Sequence, residues 1–263
     1  MDKNKHIDQD EVNEVWRKEW QNYLGSNINP HKIFLQRLFV EGYPIFKKYI
    51  PDNVIEVLDV GSGTGRYGIR VAQDYPESKV IISDILEESL NIGRAISGKL
   101  ALDNVHFLKD DILSSSLSDN KFDVIICDVV IQHLPDYVRA IREMKRLAKP
   151  GGRILISAVN TWNFHDVYKK FLTMVGRPYE YGYERSFSSK ELSEIIQGEG
   201  LKVVAVDGFY VGYGIYRLKK YCKIFSLLGK IVNRMAKILD GVTGRYFSRN
   251  FGFEIVVVGE KKR

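Results

Sequence analysis

Short apolar runs alternate with amphipathic stretches along most of this 263-residue chain. Runs of this kind are typical of strands that are buried on both faces of a parallel sheet. The alternation therefore predicts βαβ units with helices on both faces of the sheet. The first five runs cover residues 54–60, 79–83, 105–108, 122–127 and 153–157, and helices are predicted over 65–74, 86–100 and 136–148.

Two amphipathic stretches precede the first run. Apolar residues recur at helical spacing over residues 8–24 and 31–50, and Asn29 with Pro30 forms a break between them. We expect two N-terminal helices, and we expect residues 1–50 to act as a helical lid.

After residue 187 the pattern predicts one more helix and two more strands. Ser188 or Ser189 can cap the helix, and Gly200 ends it. Residues 201–206 and 253–258 are apolar runs of strand length.

Composition excludes several classes of protein. Hydrophobic residues make up 44% and charged residues 27%, which is ordinary for a globular chain and unlike collagen or a disordered segment. No apolar run approaches the roughly 18 residues of a membrane-spanning helix, and residues 1–5 do not begin a signal peptide, so we expect a cytoplasmic protein. Two cysteines, Cys127 and Cys222, and five scattered histidines lack metal-ligand spacing, so we expect no metal.

Positive charge is concentrated in one segment. The formal net charge is +6, and no acidic residue lies between Asp207 and Asp240. The seven positive charges of that interval exceed the net charge of +6, so the rest of the chain is close to neutral. The rest of the protein therefore gives little reason to expect a nucleic-acid partner. The basic residues of the interval are Arg217, Lys219, Lys220, Lys223, Lys230, Arg234 and Lys237.

The same segment has helical periodicity. Apolar residues recur every three or four positions over residues 216–239, while most basic residues fall elsewhere on the helix. We predict a basic amphipathic helix, with an interruption at Gly229. It either makes peripheral contact with an anionic membrane or packs its apolar side on the protein with its lysines in solvent.

A glycine-rich loop follows the first run. Residues 59–68 contain three glycines at alternate positions, and small residues at the carboxyl end of a strand let a ligand approach the backbone. Counted from Gly63 the spacing fits GxGxxG, a weak signal that nicotinamide-dependent enzymes share; counted from Gly61 it fails, because residue 66 is arginine. The expected ligand contacts in this loop are Gly61, Ser62, Gly63, Thr64 and Gly65.

Acidic residues end the next two runs. Asp84, followed by Ile85, ends the second run, where a carboxylate can accept hydrogen bonds from two ribose hydroxyls. Asp111 and Ile112 follow the third run, where a side-chain acceptor and a backbone N–H can contact the edge of an adenine; we rank Asp111 ahead of Asp110.

Together these motifs resemble the class I S-adenosylmethionine-dependent methyltransferases, including the type 11 and type 12 groups, over roughly residues 54–160. Residues 57–65 resemble the family's first motif, Asp84 its ribose-binding acid, Asp111 its adenine-side acid, and residues 147–152 its turn before the fifth strand. The resemblance implies an α/β, Rossmann-like fold with a seven-stranded, mostly parallel sheet whose last strand is antiparallel. It also implies S-adenosylmethionine as the methyl donor and S-adenosylhomocysteine as the product.

The resemblance extends to domain limits and to two further acids. We assign residues 51–263 to the methyltransferase domain, with 160–187 and 209–250 as cap insertions on the substrate side. We expect Asp59 to orient the loop and the methionine amino group, and Asp128 to contact the cofactor.

His133 is the candidate catalytic base. It lies in the segment after the fourth strand, at the carboxyl edge of the sheet beside the expected cofactor. A base is useful when the acceptor is a hydroxyl or a carbon acid, and unnecessary for a neutral amine or a thiolate. The alternative is that His133 is structural or contacts the cofactor.

Aromatic residues accumulate on the expected substrate side. An aromatic wall could enclose an apolar or planar acceptor, or the same rings could pack the cap against the sheet. Trp16 and Trp20 of the first helix likewise close the lid or pack in the core. Eight of the 15 tyrosines lie in this region: Tyr168, Tyr179, Tyr181, Tyr183, Tyr210, Tyr213, Tyr216 and Tyr221.

The favoured hypothesis is an S-adenosylmethionine-dependent methyltransferase for a small-molecule or lipid-like acceptor, with O-, N- and C-methylation all open. The first alternative is an RNA or other nucleic-acid methyltransferase, although residues 127–130 lack the Asn-Pro-Pro-Tyr type of tetrad. Two further hypotheses are a nicotinamide-dependent oxidoreductase and a cofactor-binding protein without turnover.

Overall fold

A computed structural model describes residues 9–24, 29–177, 179 and 181–263. Its strands form one sheet and are β1 (Glu56–Val60), β2 (Lys79–Asp84), β3 (Val105–Lys109), β4 (Phe122–Cys127), β5 (Ala148–Val159), β6 (Leu201–Phe209) and β7 (Glu254–Lys261). The order is β3-β2-β1-β4-β5-β7-β6, and β7 is antiparallel to both of its neighbours, whereas the pairs from β3 to β5 are parallel. This is the α/β, seven-stranded architecture that the sequence predicts.

Helices cover both faces and the carboxyl edge of this sheet. They are α1 (Gln9–Leu24), α2 (Pro30–Phe34), α3 (Arg37–Lys47), α4 (Arg66–Asp74), α5 (Glu87–Lys99), α6 (Tyr137–Leu147), α7 (Phe164–Met174), α8 (Ser189–Gly198), α9 (Tyr213–Arg217), α10 (Ile224–Thr243) and α11 (Tyr246–Phe251). Within the described residues, no helix has both the length and the hydropathy that crossing a membrane requires.

The core consists of two hydrophobic clusters separated by the sheet. Side chains of a strand alternate between its faces, and accordingly Val124 and Ile126 of β4 belong to one cluster and Ile125 to the other. The first cluster includes Phe46 of α3, and the second includes Met144 of α6. Burial on both faces explains the apolar runs within the strands. Residues 148–152, predicted as a turn before the fifth strand, instead belong to β5, whose register against β4 shifts between Phe122 and Val124.

The order of the strands reverses between β1 and β4. In open α/β sheets, ligands bind outside the carboxyl ends of the strands at such a reversal. The loops that follow β1, β2 and β4 therefore meet where the sequence predicts a ligand site.

Local signals set several element ends. The Ser188 hydroxyl accepts a hydrogen bond from the Glu191 backbone N–H at 3.1 Å, and the Glu191 carboxylate accepts the Ser188 N–H in return, which forms a capping box at the start of α8. Gly200 follows that helix with φ of +79°. Both the cap and the stop agree with the sequence prediction.

Two predicted helices differ from the structure. The stretch 31–50 is divided into α2 and α3 by a turn at Leu35 and Gln36. The stretch 216–239 is divided after α9, and α10 continues to Thr243.

Gly229 does not interrupt α10, which continues through it. The role of this glycine is to allow close packing against α9. A Cβ at Gly229 would lie 2.7 Å from the Gly212 carbonyl oxygen, so the glycine permits α9 and α10 to approach one another.

Candidate functional site

The glycine-rich loop between β1 and α4 has a backbone that other residues rarely adopt. Gly61, Gly63 and Gly65 have φ of +56°, +55° and +70°. A Cβ at Gly61 would also lie 2.6 Å from Cγ1 of Val130, so a side chain does not fit there. The loop is thus shaped by glycine at each of these positions.

Asp84 holds this loop against the end of β2. Its Oδ2 accepts a hydrogen bond from the Gly63 N–H at 3.0 Å, and its Oδ1 accepts one from the Leu86 N–H at 2.9 Å. Burial raises the pKa of Asp84, although these hydrogen bonds oppose the rise.

Asp59 lies behind the loop. Its Oδ2 accepts a hydrogen bond from the Gly68 N–H at 2.8 Å, which fixes the first turn of α4. Burial raises the pKa of Asp59 to about 8, against the effect of that hydrogen bond. Asp59 and Gly65 therefore support the loop from behind, and neither lines the cavities in front of it.

Two adjoining cavities lie in front of the loop. The larger has a volume of about 520 Å³ and is lined by Ser62, Gly63, Thr64 and Asp128 among others. The smaller, of about 60 Å³, is lined among others by Asp110, Asp111, Ile112 and Leu113. Gly61, Asp84 and Ile85 line both cavities. The structure thus brings together the predicted site residues other than Asp59 and Gly65, including His133 in the larger cavity.

An ion pair that the sequence did not reveal connects the loop to β4. Nη2 of Arg66 lies 3.1 Å from Oδ2 of Asp128, and Nη1 donates to Oε1 of Gln36 at 3.0 Å. The other carboxylate oxygen of Asp128 accepts a hydrogen bond from the Ser157 hydroxyl at 2.8 Å. The one sequence signal was that Arg66 occupies the position where a nicotinamide-type loop requires glycine.

Helix α1 places two tryptophans over the larger cavity. A Cβ at Gly63 would lie 3.0 Å from Cζ2 of Trp20, so this ring lies directly over the loop. Trp16 stacks on Trp20 and on Tyr181, with ring centroids 5.7 Å apart in both pairs. Both rings line the larger cavity, and Trp20 also packs against the first hydrophobic cluster.

The tyrosines of the substrate side divide into two groups. Tyr179, Tyr181 and Tyr213 line the larger cavity. Tyr168 and Tyr221 instead hydrogen-bond to each other through their hydroxyls at 2.7 Å. An aromatic wall exists, but it uses only part of the predicted set.

His133 is buried at the edge of the larger cavity. Its Nδ1 lies 2.9 Å from the Tyr183 carbonyl oxygen, which can only accept, so Nδ1 carries the proton. Nε2 then carries the lone pair, which accepts a hydrogen bond from the Gln132 amide nitrogen at 3.2 Å. Burial lowers the pKa of His133, so the ring is neutral at physiological pH.

A buried polar network supports this histidine. Gln132 accepts a hydrogen bond from the Val159 N–H at 2.8 Å and donates to Oε2 of Glu184 at 3.2 Å. Oε1 of Glu184 accepts from the buried ammonium of Lys169 at 2.7 Å. This charged network connects three segments that are distant in the sequence.

Glu254 is a second residue that sequence analysis missed. It begins β7, is 1% exposed and lines the larger cavity. Its Oε2 is buried and finds no hydrogen-bond partner among the described residues. Burial raises the pKa of Glu254 well above its usual range, and Asp128 raises it further. The available signal was a carboxylate at the head of an otherwise apolar run.

His165 lies deeper, behind the aromatic wall. Its Nε2 is 3.0 Å from the Tyr179 hydroxyl. Burial lowers the pKa of His165 to about 3, and the charge of Arg217 adds to this effect. No group of three or more histidine, cysteine or acidic side chains within the described residues is arranged to hold a metal ion.

Comparison with known proteins gives the following matches. A family model described as "Methyltransferase domain" matches residues 51–200. A demethylmenaquinone methyltransferase of Bacillus cereus is 28% identical over 181 residues, which cover 62% of this chain and 76% of that protein.

Two solved structures are similar over nearly the whole chain. A SAM-dependent methyltransferase of Thermotoga maritima, described as a possible histamine N-methyltransferase, has a TM-score of 0.65 at 18% identity and covers 95% of this chain and 100% of its own. The phosphoethanolamine N-methyltransferase 2 of Haemonchus contortus, in complex with phosphomonomethylethanolamine and S-adenosylhomocysteine, has a TM-score of 0.61 at 17% identity, over 96% of this chain and 58% of its own. At these identities the two structures establish the fold alone.

Proposed function

Because this chain belongs to the methyltransferase-domain family and is an S-adenosylmethionine-dependent methyltransferase, we propose that it methylates a small, apolar or lipid-like acceptor in the larger cavity. The observation that carries this acceptor class is the cavity's lining. Trp16, Trp20, Tyr179, Tyr181 and Phe253 line this cavity of about 520 Å³, which the acceptor shares with the methionine portion and the ribose of the cofactor. The Bacillus cereus relative is named for a quinone, a compound of this class.

The residues in front of the glycine loop fit the cofactor. The Ser62 hydroxyl is buried and unpartnered among the described residues, and the glycines leave the backbone open to a ligand. We assign Asp84 to the ribose hydroxyls, Asp111 and Ile112 to the adenine, and the loop with Asp128 to the methionine portion. When bound, S-adenosylmethionine supplies a methyl group on a positively charged sulfur.

The chain's own contribution is alignment and exclusion of water. Transfer of a methyl group requires the attacking atom to be held in line and shielded from solvent. Trp16 and Trp20 cover the cavity from α1, and Tyr181 stacks against Trp16 from the opposite segment. These rings are the groups that close the site.

His133 is the proposed base, and Nε2 is the atom that accepts the proton. Because the Tyr183 carbonyl holds the proton on Nδ1, Nε2 is the basic nitrogen at the cavity edge, and to take a proton its lone pair must release the hydrogen bond from Gln132. Glu254 is proposed to hydrogen-bond a polar group of the acceptor through its unpartnered Oε2.

Labelled methyl transfer tests the acceptor class. We expect transfer from S-adenosylmethionine to apolar ring compounds that carry hydroxyl groups, such as reduced demethylmenaquinone analogues. Transfer confined to small charged amines or to RNA would refute this class. A failure to bind S-adenosylmethionine in calorimetry would refute the cofactor assignment itself.

Substitution tests the two proposed roles. His133→Gln should lower kcat about a hundredfold, the usual contribution of a general base, with cofactor affinity unchanged. The wild-type rate should decline only below pH 6.5, since burial lowers the pKa of His133.

Glu254→Gln should mainly raise the KM for the acceptor. His106→Gln, at an exposed position, and Glu260→Gln, at the other end of β7, are the controls. A kcat unaffected by His133→Gln would leave the residue a structural role.

A further inference from the structure

Helix α10 packs on the protein with the side that surface helices usually expose. Its buried residues are small or polar: Gly229, Asn233, Ala236 and Asp240. Phe225 and Val232 are half-buried, but its other large apolar residues face away from the protein and are between 40% and 83% exposed. These are Ile224, Leu227, Leu228, Ile231, Met235, Ile238, Leu239 and Val242. An ordinary surface helix has the opposite arrangement.

Polar contacts explain why α10 adopts this orientation. Oδ1 of Asp240 accepts hydrogen bonds from the backbone N–H groups of Phe247 and Ser248 at 2.9 and 3.2 Å, which fixes the start of α11. Gly229 meets α9 at close range. The outward position of the apolar residues is therefore determined by specific contacts on the inner side.

Helix α7 has the same inverted arrangement. Its buried residues are His165, Asp166 and Lys169, which belong to the polar interior behind the cavity. Its apolar residues are between 44% and 76% exposed, and they are Phe164, Val167, Phe171 and Met174. Both α7 and α10 pack against α9, and the Tyr168 to Tyr221 hydrogen bond connects α7 to the segment before α10. We call the exposed apolar residues of these two helices the outer apolar face.

Basic residues lie beside this face. Lys223, Lys230, Arg234 and Lys237 recur at intervals of seven, four and three residues, which places them in one stripe along α10, adjacent to its apolar stripe. Lys237 forms an ion pair with Glu41 at 2.6 Å. No carboxylate among the described residues pairs with Lys223, Lys230 or Arg234. Their charge is available to an external partner.

We propose that the outer apolar face docks on an anionic lipid bilayer, with its apolar side chains at the level of the acyl chains and its basic stripe at the headgroups. A second copy of the chain is the competing occupant of such a face. The geometry disfavours it, because two copies would bring two unpaired basic stripes together. An anionic surface complements both the apolar and the basic residues.

Docking in this way brings the larger cavity close to the bilayer. Tyr213 and Arg217 of α9 line the cavity, while Gly212 and Tyr216 contact α10. One short helix thus separates the cavity from the outer apolar face. The docking itself requires neither cofactor nor acceptor, so its test is independent of the proposed reaction.

Vesicle flotation of the full-length protein tests the proposal. We expect the wild type to bind vesicles of phosphatidylglycerol and phosphatidylcholine in equal parts, and to bind pure phosphatidylcholine far more weakly. K223Q/K230Q/R234Q should lower partitioning about a hundredfold, since each basic residue near the surface contributes about a factor of five. I231Q/M235Q/I238Q should lower it at least about tenfold on the same vesicles.

The matched control is K79Q/K202Q/K262Q. These lysines are exposed at the opposite edge of the sheet, where β2 and β6 begin and β7 ends, so their loss should leave partitioning unchanged. Circular dichroism verifies that every variant is folded.

The remaining outcomes each refute the proposal. If the control lowers flotation as much as K223Q/K230Q/R234Q, or if I231Q/M235Q/I238Q binds like wild type, the protein adsorbs by net charge without a defined face. If the wild type does not float and sediments as a dimer that I231Q/M235Q/I238Q dissociates, a second copy covers the face. A wild type that neither floats nor dimerises contradicts docking altogether.

Discussion

Backbone groups hold the glycine-loop side of the larger cavity, whereas side chains from distant segments hold its aromatic side. On the first side, Asp84 accepts hydrogen bonds from the backbone N–H groups of Gly63 and Leu86, and all three residues lie between positions 63 and 86 of the chain. On the second side, Gln132, Glu184 and Lys169 form a buried network between three separate segments.

The glycine-loop side is the part of the site that a sequence can reveal. The aromatic side is the part whose residues can change without altering the fold. A loop held by its own backbone requires particular residues at fixed spacing. A wall held by packed side chains requires only that distant groups remain compatible. Ligand specificity can therefore vary on the aromatic side while the glycine-loop side is kept.

The largest expected effect is on the aromatic side and concerns stability. Lys169→Met removes a buried cation, which leaves the buried Glu184 without its compensating charge and leaves Asp166 paired only with Lys170. We expect the free energy of unfolding to fall by about 3 to 5 kcal/mol, measured by urea denaturation.

Lys170→Met is the matched control, because Lys170 also pairs with Asp166, at 2.7 Å, but has an exposed side chain. We expect a loss below about 1 kcal/mol. Equal losses for the two variants would mean that the network does not support the aromatic wall.

The next effect is on the glycine-loop side and concerns binding. Asp84→Ala removes a carboxylate that holds two backbone N–H groups and, as proposed, the ribose hydroxyls. Two charge-assisted hydrogen bonds contribute about 3 kcal/mol, so we expect cofactor affinity to fall about a hundredfold in calorimetry, with little change in stability beyond the loop.

Asp103→Ala, an exposed acid before β3, is the control and should bind as wild type does. If Trp16→Ala costs more cofactor affinity than Asp84→Ala, the aromatic side and not the loop dominates cofactor binding, and the contrast is reversed.

The effect that is smallest per pH unit is an opposite pH dependence of the two sides. The folded-state pKa of Asp59 is about 8, against about 3.9 in an unfolded chain, so the unfolded state releases a proton that the folded state keeps. Stability therefore falls as the pH rises from about 4 to about 8. The folded-state pKa of His165 is about 3, against about 6.5 when unfolded, so stability falls as the pH decreases from about 6.5 towards 3.

Asp59→Asn should flatten the first dependence and His165→Gln the second, each by up to about 1.4 kcal/mol per pH unit. Denaturation midpoints across this pH range measure both slopes, and His106→Gln is the exposed control. A slope that either substitution leaves unchanged would place the responsible group elsewhere.

Sequence predicted the sheet and the glycine-loop side because their causes are local. Most strands contain an apolar run, Ser188 has its capping partner three residues away, and Asp84 ends a strand next to the loop that it supports. Such features depend on the spacing of residues along the chain, and both hydrophobic periodicity and sequence motifs detect that spacing.

The remaining features depend on contacts between distant segments. Arg66 and Asp128 are 62 residues apart, and the partnerless Oε2 of Glu254 has meaning only once the cavity is formed. The periodicity of α10 correctly separated its apolar from its polar side, but could not tell which side faces the protein. That choice follows from Asp240 and Gly229, whose partners lie in α11 and α9.

Helix α1 carries both tryptophans of the cover, yet Val12 is the single buried residue among those described in it. Trp20, Tyr23 and Leu24 are only partly buried against the core, so displacing α1 costs less free energy than displacing a fully buried helix. Any compound that fills the space beneath Trp16 and Trp20 would add contacts to α1 and hold it in place. Because these rings lie at the cavity, the entry and departure of ligands would require α1 to move, which makes this movement one of the steps of turnover.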